Sequence, residues 1–235
     1  MKIKAYRLIG LVFLALTLVS MPNVANTAMW AGVELGGNFA ANTDLKANNG
    51  FDTVKQARVN PAVIGGVTIG YDFINTGFGG YNWPDWMKYF SLATDFTYNR
   101  FDLPSQTLTF TPSNVRETLP RQEGFMAAWT FLVMTHYGFL PDAEVPAGRL
   151  HPYLGVGPAV LFSGMDSGDF GLGNRSSTTI ALVTETGLRF FALKNISLDA
   201  GFRFRYASPT YSFSSVDINL EAYQFSFLFR TSYHF

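Results

Sequence analysis

Charged side chains recur at even spacing in the last third of the chain, with signs that would allow ion pairs. Glu185 and Arg189 precede a short stretch centred near Lys194, and Asp199 and Arg203 follow it. If this stretch is a tight turn between antiparallel strands, opposed positions have residue numbers that sum to 388. Directly opposed side chains then have Cβ atoms about 5 Å apart. We predict that Arg189 pairs with Asp199 and that Glu185 pairs with Arg203.

Further charges share this face of the predicted strands. Arg230 and Glu34 are predicted to form a third pair where the last strand meets the first. The five acidic and four basic residues of the face are Glu34, Asp72, Asp95, Glu185, Arg189, Asp199, Arg203, Arg205 and Arg230. Such buried charges need partners, because desolvating one alone costs several kcal/mol. They form either a packed polar plug, which we expect, or the gate of a narrow pore. Their near-balance argues against a strongly ion-selective channel.

These charges lie in eight segments in which apolar residues recur at every second position, the pattern of a β-strand. Each is about as long as a tilted membrane strand of roughly 9–11 residues, or slightly longer. The segments are 29–39, 62–73, 89–100, 125–137, 152–162, 178–190, 196–206 and 218–235. Segment 125–137 is apolar on both faces, so its register is the least determined. Beyond the N-terminus there is no run of 18 apolar residues, which argues against a helical membrane protein.

Glycine indicates which face points inward. Most strand glycines share the face of the charges, and few lie on the face that carries the aromatic and branched side chains. The lumen of an eight-stranded barrel is barely wide enough for side chains, so small residues belong there. The bulky face must then contact an apolar solvent, whereas a soluble lipocalin-like barrel would turn it inward. The sequence predicts an all-β fold, an eight-stranded antiparallel transmembrane up-and-down β-barrel with long extracellular loops.

Residues 1–28 have the pattern of a secretory signal peptide, which leaves 29–235 as the barrel domain. Lys2, Lys4 and Arg7 precede the apolar run 8–19, and small residues follow it. Cleavage after Ala25 and cleavage after Ala28 both fit. Removal of this segment leaves 14 basic and 17 acidic residues, a net charge of about −3 that gives no support for nucleic-acid binding. The chain has no cysteine, so disulfides do not stabilise it.

An even number of strands places both termini in the periplasm. The extracellular loops are then 40–61, 101–124, 163–177 and 207–217, with a possible strand continuation at TLTFT (107–111). The periplasmic turns are 74–88, 138–151 and 191–195, of which the first two are longer than is usual for such barrels. Aromatic residues near the periplasmic ends form the predicted girdle, namely Tyr81, Trp83, Trp86, Tyr89, Tyr137, Phe190 and Tyr233.

Three stretches carry a family resemblance: RLHPYLGVGPAV (149–160), TGLRFFALKNISLDAGFRFRY (186–206) and FSFLFRTSYHF (225–235). They resemble the OmpA-like family of small outer-membrane β-barrels, a porin family of the Gram-negative cell envelope. The resemblance implies an assembly signal in Phe229, Tyr233 and Phe235, read by the barrel-assembly machinery. It also implies outer-membrane lipid and lipopolysaccharide as surroundings, and periplasmic chaperones as partners during biogenesis. Family members include inert anchors, adhesins, narrow pores and a few lipid A enzymes.

The three histidines bear on the enzymatic alternative. A lipid A deacylase of this fold needs Ser, His and a carboxylate within hydrogen-bond reach, facing the outer leaflet. His136, His151 and His234 instead fall at periplasmic strand ends on the lumenal face. We therefore expect no catalytic residue and no cofactor. Two-strand spacing without a fixed third ligand also favours solvated histidines over a metal site, and DSGDFGLGN (166–174) lacks the ligand spacing of a calcium loop.

Together these patterns predict a monomeric integral outer-membrane protein without enzymatic activity. Its role is expected to be structural or to depend on its extracellular loops, which could bind a host surface or another protein. A narrow pore for small solutes is the first alternative. A lipid A-modifying enzyme is the second, and the placement of the histidines argues against it.

Overall fold

The protein is described by a computed structural model that covers residues 29–41, 43–47, 53–74, 81–111, 116–166, 175–212 and 217–235. The predicted signal peptide and most of the DSGDFGLGN stretch lie outside these residues. The strands in chain order are β1 (Met29–Ala40), β2 (Thr43–Ala47), β3 (Thr53–Ala57), β4 (Ala62–Asp72), β5 (Phe90–Leu103), β6 (Gln106–Thr111), β7 (Arg116–Leu119), β8 (Gln122–His136), β9 (Leu150–Asp166), β10 (Arg175–Leu193), β11 (Ile196–Ala207), β12 (Thr210–Ser212) and β13 (Asp217–His234).

Eight long strands form a closed antiparallel barrel. Their order around the ring is β1-β4-β5-β8-β9-β10-β11-β13, and β13 pairs with β1 to complete it. Closure satisfies the backbone groups of every strand, which is what a hydrocarbon surrounding requires. The predicted eight-stranded barrel is confirmed, and each long strand coincides with one predicted segment.

The long strands run further at one end of the barrel than the sequence indicated. β5 extends to Leu103, β8 begins at Gln122, β9 extends to Asp166 and β10 begins at Arg175. Parts of the predicted loops 101–124 and 163–177 are therefore strand. The period-two pattern weakens where one face no longer needs to be apolar, but backbone pairing continues as long as the neighbouring strand offers partners.

The short strands gather at this same end, which we call the loop end, and the opposite end is the turn end. β2, β3, β6 and β7 extend the sheet beyond the upper part of β13 in the order β13-β2-β3-β6-β7, and β12 also pairs with β13. The TLTFT stretch lies in β6, as expected for a strand continuation. The regions predicted as loops 40–61 and 207–217 thus contain β2, β3 and β12.

The two faces of the barrel wall are sorted as predicted. Ile180, Phe229 and Val63 show the outward pattern, with exposed fractions of 77%, 69% and 71%. Glu185, Arg203 and the other charges of the inner face are almost fully buried, apart from the half-buried Asp72. Exposed apolar area on this scale is far more than a soluble monomer shows, and it is what a lipid-facing wall requires.

The side chains of β8 show why the register of this strand was difficult to determine from sequence, because large apolar groups point both inward and outward. Met134 points inward and is 2% exposed, while Trp129 and Phe131 point outward and are 48% and 42% exposed. The indole N–H of Trp129 donates to Thr94 Oγ1 at 2.9 Å, and that hydroxyl donates to the Thr130 carbonyl at 2.9 Å. Polar atoms on the outer wall are thus satisfied within the wall itself.

The two long turns at the turn end have internal structure of their own. The first contains a short 3-10 helix, Asp85–Tyr89. In the second, the Arg149 guanidinium donates to Asp142 and, at 3.0 Å, to the carbonyl of Phe191 in β10. The hydrogen bond from Arg149 holds the pKa of Asp142 below its ordinary value, helped by the backbone N–H of Val145. In the described ranges, no helix is long and apolar enough to cross a membrane.

The predicted aromatic girdle is present at the turn end. Tyr89 stacks on Tyr137 with ring centroids 5.6 Å apart, and Tyr137 contacts Phe139 edge to face. Trp83 packs against Tyr81 with ring centroids 4.8 Å apart. Amphipathic rings of this kind are enriched at the level of lipid headgroups.

The lumen is as narrow as the glycine pattern predicted. A Cβ atom added at Gly187 or at Gly201 would lie 2.7 Å from the hydroxyl oxygen of Tyr153. Both glycines therefore leave room for a ring that reaches Glu185, whose Oε1 accepts a hydrogen bond from Tyr153 at 3.1 Å.

The outward face gives a direct test of the membrane assignment. Val156 lies near the middle of β9 and is 50% exposed, so Val156→Arg would place a charge against hydrocarbon. We expect it to reduce the free energy of unfolding by about 2–4 kcal/mol in phospholipid vesicles, measured by urea titration. The control is Ser176→Arg at the loop end, for which we expect a change of roughly 0–1 kcal/mol. Equal effects of the two substitutions would contradict the assignment.

Candidate functional site: the barrel lumen

The centre of the lumen holds one arginine between carboxylates from opposite walls. Arg203 on β11 faces Glu185 on β10 in the predicted register, and its Nη2 lies 2.5 Å from Glu185 Oε2. The same guanidinium donates to both carboxylate oxygens of Asp95 on β5, at 3.1 and 2.8 Å. β5 and β11 are diametrically opposed in the ring, so this bidentate contact spans the full width of the lumen.

A second arginine connects this centre to the closing seam. Arg230 on β13 is paired with Glu34 on β1 and donates to its Oε2 at 2.7 and 3.0 Å. Arg230 also donates to Glu185 Oε1 at 3.0 Å. Glu185 therefore receives hydrogen bonds from Arg203 and Arg230, and one network joins the strands of the seam to both walls. All three predicted ion-pair contacts are present.

A smaller charged group lies towards the turn end. Arg189 Nε donates to Asp199 Oδ1 at 3.0 Å, and its Nη1 is 3.6 Å from Asp72 Oδ2. The Arg189 guanidinium lies over the Trp30 ring, 4.5 Å from the centroid. Trp30 Nε1 and Ser91 Oγ donate to Asp72 Oδ1 at 3.0 and 2.7 Å. The aromatic face and the two carboxylates together offset the charge of Arg189.

Arg205 differs from the other arginines because its observed partners are neutral. It donates to Gln224 Oε1 at 3.3 Å and to Thr97 Oγ1 at 3.2 Å. Its charge is balanced over a longer distance. Glu34, Asp95 and Glu185 carry three negative charges, and Arg203 with Arg230 carries two positive ones, so Arg205 makes this central set neutral.

Above the charges, towards the loop end, the lumen becomes apolar. Leu161 and Val183 are fully buried, and Phe101 and Met126 are 5% and 4% exposed. Tyr211, carried inward by β12, donates to Ser163 Oγ at 2.8 Å in the same layer. A cavity beside Phe101 and Met126 has a volume of about 20 Å³, room for about one water molecule. Ions that cross this layer would meet mainly apolar side chains, with the hydroxyl groups of Tyr211 and Ser163 among them.

The sequence reasoning missed several lumenal groups. Trp30 shares the parity of Glu34, and Tyr153 shares that of the glycines in β9, so alternation alone could have placed both inside. Leu161 also shares the parity of the glycines in β9, and Val183 that of Glu185, so alternation could have placed these two inside as well, whereas Phe101 lies beyond the end of the predicted segment 89–100. The contact between Arg203 and Asp95 depends on the shear of the closed barrel, which no local pattern reveals.

The histidines lie where the sequence placed them, at the turn end of the inner wall. His234 Nε2 is 3.0 Å from Ser197 Oγ, but Ser197 is 0% exposed and no substrate can reach it. His136 and His151 face each other, with Nδ1 atoms 3.4 Å apart. Within the part of the chain that the structure describes, no group of three or more His, Cys, Asp or Glu residues is arranged to hold a metal ion.

Comparisons with known proteins support the fold. No family model and no curated protein sequence matches the chain. The solved structure of Neisserial surface protein A has a TM-score of 0.50 and 14% identity, covering 89% of this chain and 98% of that one. The outer membrane protein OprG from Pseudomonas aeruginosa has a TM-score of 0.52 and 12% identity, with coverage of 89% and 98%. The chain therefore has the fold of the small outer-membrane β-barrels.

The central network should be costly to break. Arg203→Met leaves Asp95 without its main partner and Glu185 with Arg230 alone, and we expect a loss of about 3–5 kcal/mol in the free energy of unfolding. Arg121→Met is the control, because Arg121 pairs with Asp102 at 2.8 Å while 61% of its side chain is exposed. The free energy of unfolding should fall far less in this variant, because solvent screens an exposed ion pair. Both values come from urea titration in vesicles, and a cost for Arg203→Met no larger than the control would show that the network is not tightly packed.

Proposed function

We propose that this chain is an integral outer-membrane protein of the Gram-negative cell envelope that performs no catalysis and whose lumen is closed. It would act as a structural element of the membrane and as a support for surface contacts at its loop end. The observation that carries the proposal is the filled lumen, in which a neutral ionic network lies beneath a buried apolar layer. Two further features fit this proposal: aromatic rings that point outward against lipid, and the sheet of short strands at the loop end.

The closed lumen argues against the pore alternative. Arg203 and Arg230 share three carboxylates at 2.5–3.0 Å, so a permeating ion would have to replace several short contacts at once. The layer around Leu161 and Val183 then offers that ion mainly apolar side chains. Hydrophobic constrictions of this kind exclude water and ions.

The geometry also gives no support for a lipid A-modifying enzyme. The contact between Ser197 and His234 has the residue types of a nucleophile and its base. Both side chains are buried at the turn end, which in the proposed orientation faces the periplasm, away from the leaflet that contains lipid A. A hydrolytic role would need an accessible serine at the opposite end.

The loop end is the surface that we propose for interaction. There β2, β3, β6 and β7 form a sheet that projects beyond the barrel, with Thr107 and Thr109 exposed on β6. Thr107 Oγ1 and Thr118 Oγ1 are 3.0 Å apart across β6 and β7. A partner on a host surface, or another envelope protein, would meet this sheet first.

We further propose that the chain is a monomer, surrounded by lipid and lipopolysaccharide and inserted by the barrel-assembly machinery through the signal at Phe229, Tyr233 and Phe235.

Conductance measurements distinguish the closed barrel from the pore. We expect no stable openings in planar lipid bilayers, because the ionic network and the apolar layer both close the lumen. Arg203→Ala keeps the apolar layer and should remain silent, apart from brief events as the weakened wall fluctuates. A porin of known conductance serves as the positive control. Large, stable openings of the unmodified protein would contradict the closed lumen.

Because the chain contains no cysteine, its orientation can be tested by single-cysteine labelling. Thr109→Cys lies at the loop end and Ala143→Cys lies in the second long turn, and both positions are exposed. We expect a membrane-impermeant maleimide to label Thr109→Cys on intact cells and Ala143→Cys only after the envelope is opened. The cysteine-free parent is the control. Labelling of Ala143→Cys alone on intact cells would reverse the proposed orientation.

A further inference from the structure

An open groove of about 500 Å³ lies on the outer wall at the turn end, where β5, β8 and β9 run side by side. Its depression is at Thr135, because this small side chain lies in register between Phe90 on β5 and Leu154 on β9. The residues that border it towards the turn end are Tyr89, Tyr137 and Pro152. The volume is within the range of sites that bind small molecules, about 300–1,000 Å³.

The groove crosses the boundary between lipid headgroups and hydrocarbon. Its turn-end border is the stacked ring pair of Tyr89 and Tyr137, and such rings are enriched at the headgroup level. On the opposite side it continues into a row of exposed apolar residues that are in register across the three strands, namely Leu92, Val133 and Val156. A molecule that fills the groove therefore needs a polar part at one end and an apolar chain at the other.

Two opposite charges lie beside the groove on the short 3-10 helix Asp85–Tyr89. Lys88 Nζ is over the ring of Tyr89, 5.3 Å from the centroid, which holds an ammonium group at the aromatic border. Side chains three residues apart eclipse each other in a 3-10 helix, so Asp85 projects on the same side as Lys88. Both are exposed, and no salt bridge joins them in the part of the chain that the structure describes. This arrangement is complementary to a ligand that carries one charge of each sign.

Thr135 adds a polar atom inside the groove. Its side chain is exposed on the lipid-facing wall, and among the described residues its hydroxyl has no hydrogen-bond partner. The hydroxyl of Thr94 on the same wall, by contrast, donates to the Thr130 carbonyl. A hydroxyl that faces an apolar surrounding without a partner costs free energy, and an ester carbonyl of a bound lipid would accept its hydrogen bond.

We propose that this groove binds one phospholipid molecule whose headgroup joins a phosphate to a primary amine, as in phosphatidylethanolamine. Lys88 binds the phosphate, Asp85 binds the ammonium group, and Thr135 donates to an ester carbonyl. One acyl chain lies against Leu154 and continues along Val156. This binding site goes beyond the proposed function and requires only that the outer wall faces lipid, whether or not the lumen is closed.

Native mass spectrometry of the detergent-solubilised protein, with phosphatidylethanolamine or phosphatidylglycerol added, tests the site. The unmodified protein should retain one phosphatidylethanolamine molecule in preference to phosphatidylglycerol. Lys88→Gln should weaken the retention by about tenfold or more, because it removes a hydrogen bond between charged groups. Lys194→Gln is the matched control, since Lys194 is also exposed at the turn end but lies in the turn between β10 and β11. Its retention should match that of the unmodified protein.

Two further variants separate the headgroup from the groove. Asp85→Asn should still bind phospholipid but lose the preference for phosphatidylethanolamine over phosphatidylglycerol. Thr135→Trp fills the groove and should abolish retention although Lys88 remains. Thr231→Trp is its control, because Thr231 is exposed on the outer wall near the turn end and does not line the groove.

Three results would overturn the proposal: no preferential retention of phosphatidylethanolamine, an equal loss in the two lysine variants, or displacement of the lipid by glycerophosphoethanolamine, which has the headgroup without the chains. If a variant does not fold, photo-crosslinking of the unmodified protein replaces it. In phosphatidylcholine vesicles doped with phosphatidylethanolamine that carries a photoreactive acyl chain, adducts should concentrate beside Thr135 and Leu154. Adducts spread evenly around the barrel would show that the groove prefers no lipid.

Discussion

The rest of the structure depends on the small width of a lumen enclosed by eight strands. Such a lumen holds side chains and little else, so a charge that points inward must be hydrogen-bonded by its neighbours and balanced by the charges around it. Arg203 satisfies this condition by reaching Asp95 on the opposite wall, and Arg230 does so at the seam. The same narrowness accounts for Gly187 and Gly201, which give Tyr153 the space to reach Glu185.

Local rules were sufficient to predict the wall and the contacts between adjacent strands. The period of two gave the strands, glycine gave the inward face, and one turn gave the register that places Arg189 against Asp199. Contacts across the lumen, such as that between Arg203 and Asp95, could not be predicted from the sequence. They depend on the stagger of strands far apart in the chain. The buried layer around Leu161 was missed for a different reason: Leu161 and Val183 share the parity of inward glycines and of Glu185, but inward positions were sought by charge and by glycine alone.

At the loop end, strand structure continues although the alternation of apolar and polar residues has ended. Within the membrane, lipid imposes alternation, and outside it β5 and β8 continue to pair without that constraint. β2, β3, β6 and β7 then form a sheet through backbone pairing. Such a surface is suited to recognition, because its shape is fixed by the backbone while its chemistry is set by residues that the barrel does not need.

The ionic network also determines how the barrel closes. A buried ion pair contributes little to stability compared with well-packed apolar side chains, so its value here lies in specificity. If β13 slipped by one residue against β1, every side chain of the slipped strand would change face. Arg230 would point into lipid, and Glu34 would remain inside with only Arg203 Nη1, 3.8 Å from its Oε1. Because the pairing of β13 with β1 closes the ring, this penalty applies to closure itself. The correct register is therefore favoured at the seam by two charges that satisfy each other only when the barrel is properly closed.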